Sequence, residues 1–248
     1  MNRRFWSWFV IFSLYTSKKI VMKKRLVIFG GSSEIGLDLS IKLSNDFNVV
    51  NISSKKINLN NKNIKETQLQ QYSKEEISKL ISTFDKKEEH IFLFMNGVSD
   101  PKAFYKMSGE EISHIIKVNF ELPAMITNLI MKDFILHKTK YVYFSSSRAL
   151  LGDRGISLYS SSKSALKYFA RSLSLEYGKF NQYFYTISLG VFEKGLVNKV
   201  KVKDLDKIIK RSATNSFVDI DQLVMAINYI SKNDSATGSV LNIDNGYF

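Results

Sequence analysis

From Arg25 onward, short apolar runs alternate with stretches of helical periodicity. The runs fall at 26–30, 48–53, 64–69, 90–96, 140–145, 183–188 and 240–243, mostly rich in Val, Ile, Phe and Tyr. Several are nearly unbroken, as expected for strands covered on both faces. Amphipathic stretches lie between them, at 34–45, 73–84, 108–137, 158–178, 202–211 and 219–232. The stretch 108–137 is too long for one ordinary helix, and Pro123 predicts a break or kink within it. Strands alternating with helices predict an α/β fold with right-handed crossovers. The expected architecture is one doubly wound domain, a mostly parallel seven-stranded sheet with helices on both faces. There is no repeat, no low-complexity segment and no dividing linker.

Composition narrows the chemistry. A chain of 248 residues with 44% hydrophobic content can build one well-packed domain. It has no cysteine, which excludes disulfides, thiol nucleophiles and cysteine-ligated zinc and suits a reducing cytoplasm. His90, His114 and His137 lack metal-ligand spacing, so no metal site is expected. The net charge of +13 invites a nucleic-acid reading, but the first 25 residues carry seven of those charges and no acid. The remaining six are spread among acids, which argues against nucleic acid and suits an anionic cofactor.

Residues 1–21 form an extension to a domain at 22–248. Two arginines precede an apolar, aromatic run at 5–15, with no small-residue cleavage site behind it. The run is shorter than the roughly 20 residues that span a bilayer. The favoured reading is a protein that begins at Met22. An interfacial anchor is the second reading, and membrane contact is expected only if residues 1–21 are genuine. Export is the least favoured.

The segment LVIFGGSSEIG leads from the first strand into the first helix. Small residues there let the backbone approach a pyrophosphate, and free N–H groups at the helix start attract its charge. Gly30, Gly31, Ser32, Ser33, Ile35 and Gly36 are the candidate phosphate-binding residues. After the second strand, NAD sites usually carry an acid for the ribose 2′-hydroxyl. Here Ser53, Ser54 and Lys55 offer hydroxyls and a cation instead, which predicts NADP(H) over NAD(H).

Tyr159 and Lys163 are spaced i, i+4 and share a helix face. A phenol titrates near 10, too high for proton exchange at neutrality, and a neighbouring ammonium lowers that value. Tyr159 can then serve as general acid in reduction or base in oxidation. Ser146 stands 13 residues earlier, at a strand end.

Taken in order, these motifs resemble the short-chain dehydrogenase/reductase family over essentially all of 23–248. The family's TGxxxGxG corresponds to Phe29 through Gly36, and its Asn-Asn-Ala-Gly to Met95-Asn96-Gly97-Val98. Its helix asparagine falls on Asn119, its serine on Ser146, and its Tyr-x-x-x-Lys on Tyr159 and Lys163. Leu189-Gly190 stands at its Pro-Gly, and TGSVLNIDNGYF is similar to its closing strand and turn. The resemblance implies a Rossmann-type, NAD(P)-dependent carbonyl reductase or alcohol dehydrogenase acting on a small molecule. Ser146 would hold the substrate oxygen, Tyr159 deliver the proton, and Lys163 lower the tyrosine pKa and bind the ribose. Asn119 would hold a kinked helix and position a relay water. Asn96, Gly97 and Gly190 would line the cofactor site.

The resemblance also implies a homodimer or homotetramer, with helices 119–137 and 158–178 between subunits. The departures are Phe29 for threonine, Glu34 for glycine in the phosphate loop, Leu189 for proline, and no acid beside Gln70-Gln71-Tyr72. Arg148, Arg154 and Lys194 flank the expected cleft and favour an anionic substrate, such as a nucleotide-sugar or carrier-linked acyl ketone. LGVFEKGL is similar to reductases of surface-polysaccharide biosynthesis. The competing reading is an NADP(H)-binding regulatory or scaffold protein without turnover.

Overall fold

The computed structural model describes residues 23–195 and 202–247; the extension at 1–21 lies outside the described residues. Seven strands form the sheet: β1 (Arg25–Phe29), β2 (Asn48–Ser53), β3 (Ile64–Gln68), β4 (His90–Phe94), β5 (Thr139–Ser146), β6 (Gln182–Leu189) and β7 (Val240–Ile243). Their order is β3-β2-β1-β4-β5-β6-β7, and every pairing is parallel. The chain steps outward from β1 to β3, then returns to place β4 against the other side of β1. This reversal opens a crevice above the carboxyl ends of β1 and β4, where doubly wound sheets bind ligands.

The helices are α1 (Glu34–Leu43), α2 (Lys74–Ile81), α3 (Gly109–Ile116), α4 (Leu122–Phe134), α5 (Arg148–Leu151), α6 (Ser157–Tyr177), α7 (Val202–Ile209) and α8 (Ile220–Lys232). Serine hydroxyls start three of them. Ser33 accepts from Gly36 N–H, while Ser73 with Glu76 and Ser108 with Glu111 form reciprocal caps. Alternation along the strands explains the unbroken apolar runs. Leu26, Ile28, Leu93 and Ile187 pack with α1 and α8, while Val27, Phe29, Phe94 and Tyr143 face α4 and α6. On the second face aromatic rings stack across strands, with centroids 4.9 Å apart for Phe94–Tyr143 and 4.6 Å for Tyr141–Phe184.

The long stretch 108–137 breaks just ahead of Pro123, at Asn119. A π-helical turn, Lys117–Glu121, joins α3 to α4, with Leu122 N–H reaching back to the Lys117 carbonyl. Pro123 lies in the first turn of α4, where a missing N–H is tolerated. It has no N–H to offer the Asn119 carbonyl four residues back, so the irregularity settles just ahead of the proline, around Asn119.

His90 opens β4 within a ring of Phe84, Phe92 and Phe134, its Nδ1 2.9 Å from the Glu88 carbonyl. Burial lowers its pKa from 6.5 to about 4. The folded chain therefore keeps this imidazole neutral while the unfolded chain takes a proton below about pH 6.5. Stability from this site is present above that pH and lost as pH falls toward 4, by up to about 3 kcal/mol. Denaturant unfolding at pH 7 and 4.5 checks this, with His90→Leu expected to lose less stability between the two.

Candidate active site

The phosphate loop follows from backbone geometry. Gly30 has φ +79°, and a β-carbon there would sit 2.8 Å from Asn96 N. Gly30 and Gly31 both donate to the Ile52 carbonyl, at 3.0 and 3.1 Å. At Gly31 a β-carbon would lie 2.3 Å from Asn51 Oδ1, and at Gly36 one would lie 2.9 Å from the Gly31 carbonyl. Asn51 donates to the Gly31 carbonyl (3.1 Å) and to Ser40 Oγ (2.7 Å), bracing the loop from below. The sequence offered no sign of this role for Asn51 beyond its place at the end of β2.

Across the crevice, Asn119 is fully buried and splices three elements. Its Oδ1 accepts from Val98 N–H at 2.8 Å, and its Nδ2 donates to the Val98 carbonyl and to Ser162 Oγ, both at 3.0 Å. Lys163 is only 4% exposed, and its ammonium donates to the Asn96 carbonyl at 2.9 Å and the Phe144 carbonyl at 3.0 Å. Desolvation brings its pKa down to about 8. Gly97 leaves the ammonium room, since a β-carbon there would stand 3.1 Å from Nζ.

Ser146 ends β5, and its hydroxyl lies beside the Tyr159 phenol. Burial raises the Tyr159 pKa, while the Ser146 hydroxyl and the Arg148 charge pull it back. The Lys163 ammonium, expected to contribute to that lowering, is held by two main-chain carbonyls. Arg148 supplies the opposing charge from the start of α5. Arg148 Nε lies 3.6 Å from Asp153, whose same oxygen takes Arg211 Nη1 at 2.9 Å. The two guanidiniums thus share one carboxylate oxygen.

Two expectations change. Lys194 pairs with Asp38 on α1 at 2.7 Å, so it is neutralised rather than free to face a substrate. Glu34 accepts from Gly195 N–H at 2.7 Å, which fastens the segment after β6 over the start of α1. Among the cofactor candidates, Ser53 is buried with its hydroxyl on the Lys55 carbonyl, while Ser54 and Lys55 are exposed at the rim. Ser33 is the α1 cap, Ser32 and Ile35 are half-buried beside it, and Gly190 passes the end of β7, where a β-carbon would lie 2.6 Å from Asp244 Cα.

These residues fit a dinucleotide. Glycines crowd the backbone turn at the switch point, and the buried Asn96 Oδ1 beside it has no hydrogen-bond partner in the protein. A doubly wound parallel sheet with this turn, and a Ser–Tyr pair beside a buried lysine, defines the class of nicotinamide-dependent oxidoreductases. The chain belongs to the short chain dehydrogenase family, whose model matches residues 24–205. It is an NAD(P)-dependent short-chain dehydrogenase/reductase.

The chain is similar to the 3-oxoacyl-[acyl-carrier-protein] reductase FabG of Buchnera aphidicola subsp. Baizongia pistaciae. The two are 24% identical over 239 residues, 91% of this chain and 98% of the relative. It is also similar, at 24% over 152 residues, to the BbsD subunit of a Thauera aromatica (2S)-[(R)-hydroxy(phenyl)methyl]succinyl-CoA dehydrogenase; the match covers 60% of this chain and 61% of that one. Among solved structures, ElxO with NADP bound superimposes with a TM-score of 0.81 at 21% identity, covering 91% of this chain and 99% of that one. 4-Hydroxyisoleucine dehydrogenase with NADH gives 0.80 at 22%, covering 90% and 98%. No helix among the described residues is long and apolar enough to cross a membrane.

Proposed function

We propose that this chain reduces a carbonyl to an alcohol with NADPH, using Tyr159 as the proton donor. The carrying observation is the Ser146–Tyr159 hydroxyl pair at the carboxyl end of β5, beside the buried ammonium of Lys163. The nicotinamide, when bound, supplies hydride to the carbonyl carbon. Ser146 holds the carbonyl oxygen, and the Tyr159 hydroxyl gives that oxygen its proton. Arg148 stabilises the resulting phenolate until Tyr159 is reprotonated. Lys163 Nζ binds the ribose hydroxyls from its seat on the Asn96 and Phe144 carbonyls. Asn119 keeps that seat in register by pinning Val98.

The substrate class this reading favours is a 3-oxoacyl thioester on a carrier. Two things support it: the FabG relatives, and Arg148, a cation beside Tyr159. NADPH is favoured over NADH because the rim beyond β2 presents Ser54 and Lys55 and no acid. With acetoacetyl-CoA as probe, NADPH oxidation is expected to exceed NADH oxidation by about tenfold in kcat/KM, equivalent to one 1.4 kcal/mol contact to the 2′-phosphate. Equal rates would overturn the cofactor preference, and no oxidation by either would overturn the substrate class. Two large apolar residues on the outer face of α6, Tyr168 (76% exposed) and Leu175 (72%), support the expected homo-oligomer built through this helix.

A further inference from the structure

Tyr72 stands between β3 and α2 with φ +52°, the left-handed region that a bulky aromatic residue seldom adopts. Such a conformation persists only where its surroundings over-determine it. The side chain shows what does so. Its ring packs against the aromatic face of the core, and its hydroxyl reaches under the crevice. There it donates to the Ile52 carbonyl at 3.1 Å and accepts from Gly30 N–H at 3.4 Å. The Asn96 side-chain amide lies beside the same hydroxyl.

The three groups it meets belong to three different strands. Gly30 follows β1 and begins the phosphate loop. Ile52 belongs to β2, just before the Ser53–Lys55 rim. Asn96 follows β4, and its carbonyl is one of the two that seat Lys163. A single hydroxyl therefore spans the switch point, from the phosphate turn to the lysine seat. Phe29, the last residue of β1, carries no hydroxyl and stacks on Phe94 with centroids 5.7 Å apart, so it joins none of these ends by a hydrogen bond.

We propose that Tyr72 is a positioning residue of the dinucleotide site, fixing the phosphate turn and the Asn96–Lys163 seat relative to each other. The proposal rests on the reading of this crevice as the NADPH site. Burial raises the Tyr72 pKa to about 12, so the hydroxyl keeps its proton and its donor role throughout the working pH range.

The test is isothermal titration calorimetry of Tyr72→Phe against the unaltered chain, with NADPH and with adenosine 2′,5′-bisphosphate. Tyr72→Phe keeps the ring and loses only the hydroxyl. The expected result is an NADPH Kd raised about tenfold, with the bisphosphate Kd raised no more than about threefold, because the bisphosphate never reaches Lys163. The thermal midpoint should stay within a few degrees. Tyr72→Asn tolerates the same φ and should show the same NADPH loss. An unchanged NADPH Kd in Tyr72→Phe overturns the proposal alone. So does a loss that is equal for NADPH and the bisphosphate, or one that follows a collapsed midpoint, since each marks a merely structural hydroxyl. An unaltered chain that binds neither NADPH nor NADH overturns the dinucleotide reading, and the proposal with it.

Discussion

Tyr159→Phe is expected to lower kcat with acetoacetyl-CoA by about a thousandfold and to leave the NADPH Kd within about twofold. The substitution removes one hydroxyl and keeps the ring in place. That hydroxyl lies beside Ser146, and without it the developing alkoxide must take its proton from water. General acid catalysis by a positioned group is worth about 10² to 10⁴ in rate. The Tyr159 hydroxyl makes no bond to the phosphate loop, so cofactor affinity should persist. Stopped-flow turnover and calorimetry on the same preparation check both halves. Turnover within tenfold of the unaltered chain would remove Tyr159 from the reaction. Full loss of turnover with retained NADPH binding separates an enzyme from a protein that only binds the cofactor.

Lys163→Met is expected to damage both functions, lowering kcat by about a hundredfold and raising the NADPH Kd by about tenfold or more. Methionine matches the apolar stem but cannot donate to the Asn96 and Phe144 carbonyls, which then lie buried without this donor. Each such loss costs on the order of 1–3 kcal/mol. The pH dependence gives an independent reading. With a pKa of about 8, the folded chain sheds this proton well before an ordinary lysine at 10.5. A ribose hydroxyl held by the ammonium should then bind more weakly as pH rises through about 8. NADPH affinity in the unaltered chain should fall across that range, while Lys163→Met stays flat. The sign also holds for stability. The folded chain disfavours the charged form, so stability is lost as pH falls from 10.5 toward 8, and the variant should not show that loss.

Much of this site was legible from side-chain chemistry at fixed spacing. Tyr159 and Lys163 share a helix face at i, i+4, a spacing that gains meaning only beside Ser146 and the ordered family pattern. The glycines at 30–36 were readable because a strand-to-helix turn near a phosphate admits little else. Ser146 and Asn119 needed the ordered family pattern, since a serine among three and a single helix asparagine carry no signal alone. Arg148 illustrates what was not readable. It was noted only for its charge toward a substrate, whereas its effect on Tyr159 depends on how the chain turns after β5. Lys194 was given the same role and lost it to Asp38, 156 residues away, a pairing no local pattern encodes.

The sequence by itself determined the parallel α/β architecture, the order of its strands and helices along the chain, and the chemical identity of the Ser–Tyr–Lys group. The first two follow from periodicity within short windows, where each residue's preference is felt locally, and the Ser–Tyr–Lys group is what the ordered resemblance to the family implies. Only the tertiary structure decided that the helix irregularity is a π-helical turn, that Arg148 lies near enough to act on Tyr159, and that the Tyr72 hydroxyl meets three strand ends. Each of these depends on close approach between residues far apart in the chain. Burial then sets the outcome, because a buried polar group must find its partner wherever the fold supplies one.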